Sequence, residues 1–258
     1  MNQRSFNSAS ITGDNENGPI VLLNVAQDAY LLKYCDRYTP TMRWQQIKSA
    51  PFTPAGITGD NRKGVAVYNV GHKVAYIDDY IGDLWTVLND APFHITGMTG
   101  DNHNGVAVYN GQQVAYIDDY KGGVWTVLPD APFGIRGITG DNRKGVAVYD
   151  DHQVAYIDDY KAGVWKNVPN VPSLIVNMTG NNAFGLVIHT FENESRGLWM
   201  IKSYASGQWE RINYPGFPID NMAGDPEKGV VCLIGDDSAV VFCDDWKKGL
   251  WSIVDVYA

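Results

Sequence analysis

The sequence predicts an all-β fold made of six tandem repeats, and three series of recurring residues support that prediction. The first is the tetrapeptide Thr-Gly-Asp-Asn, with variants in the last two repeats; the second is a tryptophan; the third is the triplet Asp-Asp-Tyr. The tetrapeptides begin at Thr12, Thr58, Thr99, Thr139, Thr179 and Ala223, and the tryptophans are Trp44, Trp85, Trp125, Trp165, Trp209 and Trp251. Successive tetrapeptides are 46, 41, 40, 40 and 44 residues apart, and a sustained period of this length is typical of repeat architectures.

The residue pattern of each repeat predicts four short strands joined by turns. In the third repeat the expected strands are Gly97–Gly100, Gly105–Tyr109, Val114–Asp118 and Val124–Leu128. The connecting segments are rich in Gly, Asn, Asp and Pro, and Asn110-Gly111 favours a tight hairpin. No helical periodicity competes with the strands. Six four-stranded antiparallel sheets of this size predict a six-bladed β-propeller.

The repeats divide the chain without an interrupting linker, so residues 1–258 are predicted to be a single domain rather than two domains of three repeats. The expected blades span residues 6–50, 51–91, 92–131, 132–172, 173–216 and 217–258. The ring is expected to close by packing of the first blade against the sixth, with a strand shared between the termini left open.

Composition and charge exclude some functional classes. The 258 residues include 20 basic and 29 acidic side chains, and the net charge of −9 disfavours a nucleic-acid partner. We expect no membrane insertion, because no apolar run reaches bilayer length. Met1–Phe6 lacks the features of a secretory signal, so synthesis in the cytoplasm is expected, with later release or assembly into a particle left open. The three cysteines are expected to be buried thiols, with a pairing of Cys232 and Cys243 on neighbouring strands as the alternative.

Strand parity places the Asp-Asn turns and the Asp-Asp-Tyr turns on one face of the disc. The candidate ligand-binding residues on that face are Asp78, Asp79, Tyr80, Asp118, Asp119, Tyr120, Asp158, Asp159 and Tyr160. Repeated acidic and aromatic pairs can hold sugar hydroxyls and apolar sugar faces. The structural alternative is that the first Asp caps its hairpin while the tyrosines, like the tryptophans, pack between blades. For the Asp-Asn turns we expect turn chemistry and no metal site.

One further ring of positions lies two residues before the Ile or Met of each inner strand. Only Arg136 and Asp220 are charged there, and they come from the fourth and sixth blades. They are the candidates for an axial site at the channel mouth, with variable surface residues as the alternative.

No catalytic motif is present, and no histidine pair has zinc-ligand spacing. Gly122 and Trp125 have a spacing similar to that of the sialidase Asp box, which implies a minor possibility of a glycoside hydrolase. That motif has Ser in its first place and Asp in its third, where this chain has Asp118 and Tyr120. The expectation is a non-enzyme without a cofactor.

The near-identity of the second to fourth repeats indicates several equivalent surface sites, whose combined avidity would suit a glycan-coated surface. In architecture the chain resembles the propeller lectins of the tachylectin-like and fucose-binding groups, a resemblance that implies carbohydrate binding. The alternative is a protein-interaction or structural component of a virion, tail fibre or cell-surface complex, with docking on blades five, six and one. Recent duplication would also explain the similarity of the repeats.

Overall fold

The structure is a computed structural model, and it describes residues 10–14, 16–26, 29–35, 43–62, 64–80, 82, 84–101, 103–118, 123–192, 195–234, 239–245 and 249–255. These residues form six four-stranded antiparallel sheets arranged as the blades of a propeller. The predicted fold class and number of blades are confirmed. One short 3-10 helix, Tyr204–Ser206, precedes the last strand of the fifth blade, and no helix among the described residues is long and apolar enough to cross a bilayer.

Each blade uses four consecutive strands, so the sheets follow chain order. The strands are β1 Ser10–Asp14, β2 Gly18–Ala26, β3 Ala29–Tyr34 and β4 Gln45–Gln46 in blade one; β5 Gly56–Thr58, β6 Val65–Tyr68, β7 Val74–Ile77 and β8 Thr86–Val87 in blade two; β9 Gly97–Asp101, β10 Gly105–Asn110, β11 Gln113–Ile117 and β12 Thr126–Val127 in blade three; β13 Gly137–Thr139, β14 Val146–Tyr149, β15 Val154–Ile157 and β16 Lys166–Asn167 in blade four; β17 Ile175–Asn181, β18 Gly185–Glu192, β19 Ser195–Ile201 and β20 Glu210–Ile212 in blade five; and β21 Ile219–Asp225, β22 Gly229–Ile234, β23 Ala239–Asp245 and β24 Leu250–Asp255 in blade six.

The inner strands of the third repeat match their predicted ranges to within a residue. The outer strand is shorter than predicted: Thr126 and Val127 of Val124–Leu128 pair with β11, and Leu128 adds one backbone bond to Val114 at 2.8 Å. Val124 is 75% exposed and outside the sheet. The indole Nε1 of Trp125 instead donates to the carbonyl of Asn89 in the second blade, at 2.9 Å. The outer edge of the blade is therefore held by its neighbour as well as by its own sheet.

The core consists of apolar clusters that lie between neighbouring blades. Strand β6 shows the principle, because Val65 and Val67 pack towards the first blade while Ala66 packs towards the third. This confirms the expectation that such strands are apolar on both faces. The three cysteines are buried thiols, as predicted: Cys35, Cys232 and Cys243.

The ring closes by packing of blade six against blade one. Ile11 and Val21 of the first blade share a cluster with Val231 and Phe242 of the sixth. Within the described residues, each of these blades takes all four strands from its own repeat, and no strand is shared. The domain boundaries themselves remain a prediction.

Candidate functional site

The tetrapeptide threonines form a belt of hydrogen bonds around the propeller axis. In five blades the Thr Oγ1 donates to the carbonyl oxygen of the tetrapeptide glycine in the next blade. The pairs are Thr12 and Gly59 at 2.5 Å, Thr58 and Gly100 at 2.7 Å, Thr99 and Gly140 at 2.8 Å, Thr139 and Gly180 at 2.9 Å, and Thr179 and Gly224 at 2.7 Å. The sixth position is Ala223, which has no hydroxyl group. The belt therefore has one gap, between blades six and one.

In blades two, four and five the last asparagine of the tetrapeptide joins its blade to the preceding one. Asn61 is buried in a left-handed conformation with φ 58°, and its Nδ2 donates to the carbonyls of Asn17 and Cys35, each at 2.9 Å. Asn142 repeats the arrangement between blades four and three, with two donated bonds of 3.3 Å. A buried amide with these partners stabilises the contact between the two blades.

The tyrosines of the Asp-Asp-Tyr triplets complete the same junctions. Tyr80 is 7% exposed, and its hydroxyl donates to Asn61 Oδ1 and to the carbonyl of Gly64, both at 2.9 Å. Tyr160 is 6% exposed and donates to Asn142 Oδ1. The two rings pack against tyrosines of the preceding blades. The prediction of packing between blades is confirmed for Tyr80 and Tyr160, whereas Tyr120 and Asp119 lie outside the described residues.

The triplet carboxylates lie at the surface. Asp78, Asp118, Asp158 and Asp159 are exposed and Asp79 is half-buried. In the fourth blade the first carboxylate, Asp158, pairs with Lys166 at 2.9 Å, and the second, Asp159, accepts the backbone N–H of Lys161. The expectation that the first Asp caps its hairpin is therefore wrong in this blade, because the preceding strand leaves Asp158 facing a lysine on the outer strand. A ligand-binding role for the triplets stays a prediction.

The tetrapeptide aspartates surround one mouth of the axial channel, which we call the acidic mouth. The cavity here has a volume of about 200 Å³. Its carboxylates and amide, one from each blade, are Asp14, Asp60, Asp101, Asp141, Asn181 and Asp225. Each accepts backbone N–H groups of its own turn, as Asp101 Oδ1 does from His103 and Asn104 at 2.7 Å. The expected turn chemistry is confirmed for these residues, yet their arrangement around one axis could not be read from a single turn.

Burial and mutual repulsion perturb these carboxyl groups. The pKa of Asp60 is raised, mainly by desolvation and then by the charge of Asp101, although Arg62 opposes the shift. Desolvation likewise raises the pKa of Asp225 against the opposing effect of Lys228, which contacts Asp14 at 3.4 Å. A carboxylate loses hydration in this ring and gains negative neighbours, so an added positive group would be favourable there.

Three basic side chains partly neutralise the acidic mouth. They come from alternate blades: Arg62 in blade two, Arg143 in blade four and Lys228 in blade six. Arg62 Nε lies 3.0 Å from Asp60 Oδ2, and Arg143 Nε lies 3.5 Å from Asp141 Oδ2. Five carboxylates against three cations leave a net charge of −2 among the described residues of this lining.

A second cavity, of about 270 Å³, occupies the opposite end of the channel, beyond the threonine belt. We call it the tyrosine mouth. Phenol groups come from Tyr68, Tyr109 and Tyr149 of blades two to four, whereas amides come from Asn177 and Asn221 of blades five and six. Sequence reasoning missed both mouths. The tyrosine mouth could have been found from a pattern in blades two to four, where a glycine begins the first strand and a tyrosine ends the second.

The two charged axial candidates lie outside both cavity linings. Arg136 is exposed and pairs with Asp151 of its own blade. Asp220 is exposed at a β-bulge between Ile219 and Asn221, where the register shifts by one residue. The bulge places Asn221 in the lining while Asp220 stays on the surface. An axial role for Arg136 and Asp220 remains a prediction.

The recurring tryptophans have a structural position, as expected. Each is half-buried and packs against a cluster between blades. In blades two to six the indole Nε1 donates to a backbone carbonyl of the preceding blade, at distances of 2.9 to 3.3 Å. These residues stabilise blade contacts at the outer rim.

Among the described residues, no group of three or more His, Cys, Asp or Glu side chains is placed to hold a metal ion.

Comparison with solved structures agrees with the fold. No known family and no curated protein matches the sequence. A structure described as YCF48 bound to D1 peptide has 11% identity and a TM-score of 0.58, covering 96% of this chain and 83% of the other. A structure of U3-55K has 10% identity and a TM-score of 0.60, covering 98% and 82%. At these identities the likeness concerns the fold alone, which is compatible with binding and protein-interaction roles.

Proposed function

We propose that this propeller is a non-enzymatic protein-interaction module that binds a cationic segment of a partner at its acidic mouth. The observation that carries the proposal is the ring of five carboxylates around one axial cavity, with a net charge of −2 among its described residues. The surrounding face adds the exposed carboxylates Asp78, Asp118, Asp158 and Asp159. Such a field attracts a basic partner and repels an acidic one.

The raised pKa values of Asp60, Asp141 and Asp225 support a cationic ligand. In each case desolvation is the main cause, and a neighbouring carboxylate adds to it. A guanidinium or ammonium group in the mouth would replace lost hydration with charge-assisted hydrogen bonds. The peptide-bound propeller among the structural neighbours supports a peptide as the form of that ligand.

The test is a titration by fluorescence anisotropy with a labelled oligo-arginine peptide and an oligo-glutamate peptide of equal length. We expect binding of the basic peptide alone, weakening as salt is raised. Asp60→Asn with Asp141→Asn keeps the oxygen that accepts the turn N–H but removes two charges, so affinity should fall about tenfold. The matched control removes two exposed carboxylates, Asp90 and Asp130, that lie outside the mouth lining. If both double variants lose the same affinity for the basic peptide, the protein's total charge explains the binding, and a site at the mouth is refuted.

Multivalent carbohydrate binding is the second candidate, supported by the exposed carboxylates Asp78, Asp118 and Asp158 in equivalent places on three blades. The buried rings of Tyr80 and Tyr160 are covered by protein, so a sugar there would contact carboxylates rather than aromatic faces. A glycan array with the wild type and a triple variant, Asp78→Ala with Asp118→Ala and Asp158→Ala, tests this candidate. The absence of signal, or a signal unchanged by the triple substitution, would contradict it.

A further inference from the structure

The tyrosine mouth has a different chemistry from the acidic mouth. Three phenols form one half of its lining and two amides belong to the other. Among the described residues of this lining, tyrosine is the only ionisable residue type. Burial raises the pKa of Tyr149 to about 12, and it raises the pKa of Tyr109 further above the usual value, with Tyr149 and Tyr68 as lesser causes. The described lining is therefore uncharged at neutral pH, and the charge of Arg136, which acts on Tyr149 from outside the lining, is paired with Asp151.

The phenols are held in place by glycines of their own blades. A Cβ atom at Gly97 would lie 2.5 Å from Tyr109 Cε1, and one at Gly56 would lie 2.6 Å from Tyr68 Cε1. Only glycine lets the rings lie flat over the first strand at the mouth. Blades five and six have Asn177 and Asn221 at the glycine position and no tyrosine to accommodate. Blades two to six thus each contribute either a phenol or an amide, and blade one contributes Ser10.

Two of the phenols have their protons engaged, and the third does not. Tyr68 and Tyr109 donate to the carbonyls of Thr96 and Arg136 in the next blade, at 3.3 and 2.6 Å. The equivalent contact for Tyr149 would fall at Val176, where a β-bulge shifts the register of blade five. Tyr149 is 8% exposed and lines the cavity, and its hydroxyl has no hydrogen bond to any described residue. The ring of Tyr149 is buried, but its hydroxyl opens into the cavity, where it is available to a ligand or to water.

The amides add donors to the same space. Asn177 Oδ1 and Asn221 Oδ1 each accept the backbone N–H of the following methionine at 2.8 Å, which directs their Nδ2 groups elsewhere. Asn177 Nδ2 reaches Asn221 Oδ1 only at 3.5 Å. The donors available in the mouth are therefore the Nδ2 groups of Asn177 and Asn221 and the hydroxyl of Tyr149. The available acceptors are the phenol oxygens of Tyr68 and Tyr109, whose protons are already engaged.

We propose that the tyrosine mouth is a binding site for one neutral polyhydroxylated ligand, such as a single sugar ring. Hydroxyl groups both donate and accept, as this lining requires, whereas a charged ligand would lose hydration without an opposite charge in the lining. The cavity of about 270 Å³ suits one small ring rather than an oligosaccharide. The ligand is a free monosaccharide or the terminal residue of a glycan. This site is independent of the peptide site proposed at the acidic mouth.

The experiment is saturation-transfer NMR with glucose, galactose, mannose, N-acetylglucosamine and inositol at millimolar concentrations, followed by a glycan array to distinguish a free sugar from a terminal residue. Tyr149→Phe removes only the unpartnered hydroxyl and should weaken binding about two- to tenfold. Asn221→Leu should weaken it further, with thermal unfolding as a check of folding. The matched control is Tyr30→Phe, since Tyr30 donates to the carbonyl of Ala50 and lies outside the cavity lining.

Binding by one of these sugars that weakens in the two mouth variants and persists in Tyr30→Phe supports the proposal. The absence of binding by all of these probes overturns it, as does an affinity unchanged by Tyr149→Phe and Asn221→Leu. Neither result affects the titration with basic peptides, whose variants lie at the opposite end of the channel.

Discussion

The gap in the threonine belt predicts that Ala223→Thr stabilises the propeller. Ala223 is 7% exposed and occupies the register position that threonine occupies in the other five blades. A threonine there would place its hydroxyl against the Gly13 carbonyl of blade one, repeating the five existing contacts of 2.5 to 2.9 Å. The new bond would join the two blades at which the ring closes.

The expected gain follows from the value of one such bond. A neutral hydrogen bond contributes about 0.5–1.5 kcal/mol net, and the added atoms enter an existing cavity rather than a packed core. For a chain of this length each kcal/mol shifts Tm by about 2–4 °C, so Tm should rise by about 1–6 °C.

Ala223→Val provides the matched control, because valine has the shape of threonine without the hydroxyl group. Thermal unfolding followed by circular dichroism compares the two variants with the wild type. If Ala223→Thr is no more stable than Ala223→Val, the hydroxyl makes no bond and the belt does not stabilise the seam.

Three further changes test other features. His189 is buried with both ring nitrogens unpartnered, and burial lowers its pKa from 6.5 to about 4. The folded state therefore disfavours the protonated ring, so the wild type keeps its full stability above pH 6.5 and loses stability as the pH falls towards 4. His189→Leu has no such proton to bind, so between pH 7 and pH 4 its free energy of unfolding, measured with urea, should fall by about 3 kcal/mol less than that of the wild type. Asn61→Ala removes two hydrogen bonds to the preceding blade and one to Tyr80 of its own blade, and it should cost about 2–4 kcal/mol in urea unfolding. The half-buried Asn69→Ala, which loses one bond within its own hairpin, should cost much less if Asn61 stabilises the contact between blades. Trp125→Phe retains an aromatic ring but loses the hydrogen bond to the Asn89 carbonyl, so the free energy of unfolding in urea should fall by about 1 kcal/mol. An unchanged free energy of unfolding would show that this bond does not stabilise the contact between blades.

The repeat architecture could be predicted because recurring residues make recurring contacts. Asn61 and Tyr80 meet at one junction between blades, and Asn142 and Tyr160 meet at another. A mutation in one repeat disturbs a contact with the neighbouring repeat, so the motif is kept once in each blade. The number of copies of the motif therefore predicts the number of blades. The outer strands of blades two to five were harder, since each has only two or three paired residues and lies next to a tryptophan that bonds to the preceding blade.

The position of the sites could not be predicted, because it depends on ring closure. Tyr109 looks in the sequence like one more apolar strand residue, and only the ring shows that its hydroxyl faces an axial cavity. Tyr160 looks like an exposed partner of Asp159, yet a neighbouring blade covers it. In both cases the deciding contact comes from another repeat, at a distance along the chain that periodicity does not specify.

The similarity of blades two to four argues less for repeated ligand sites than the sequence alone indicates. Thr58, Asn61 and Tyr80, with their counterparts in other blades, are used in contacts between blades, so packing is sufficient to account for their recurrence. The residues that differ among blades instead converge on the axis, where Asn221 replaces a glycine and Ala223 replaces a threonine. A ring that is regular in its contacts between blades and irregular at its two mouths fits the two sites proposed on the axis, one at each end, better than it fits multivalent display.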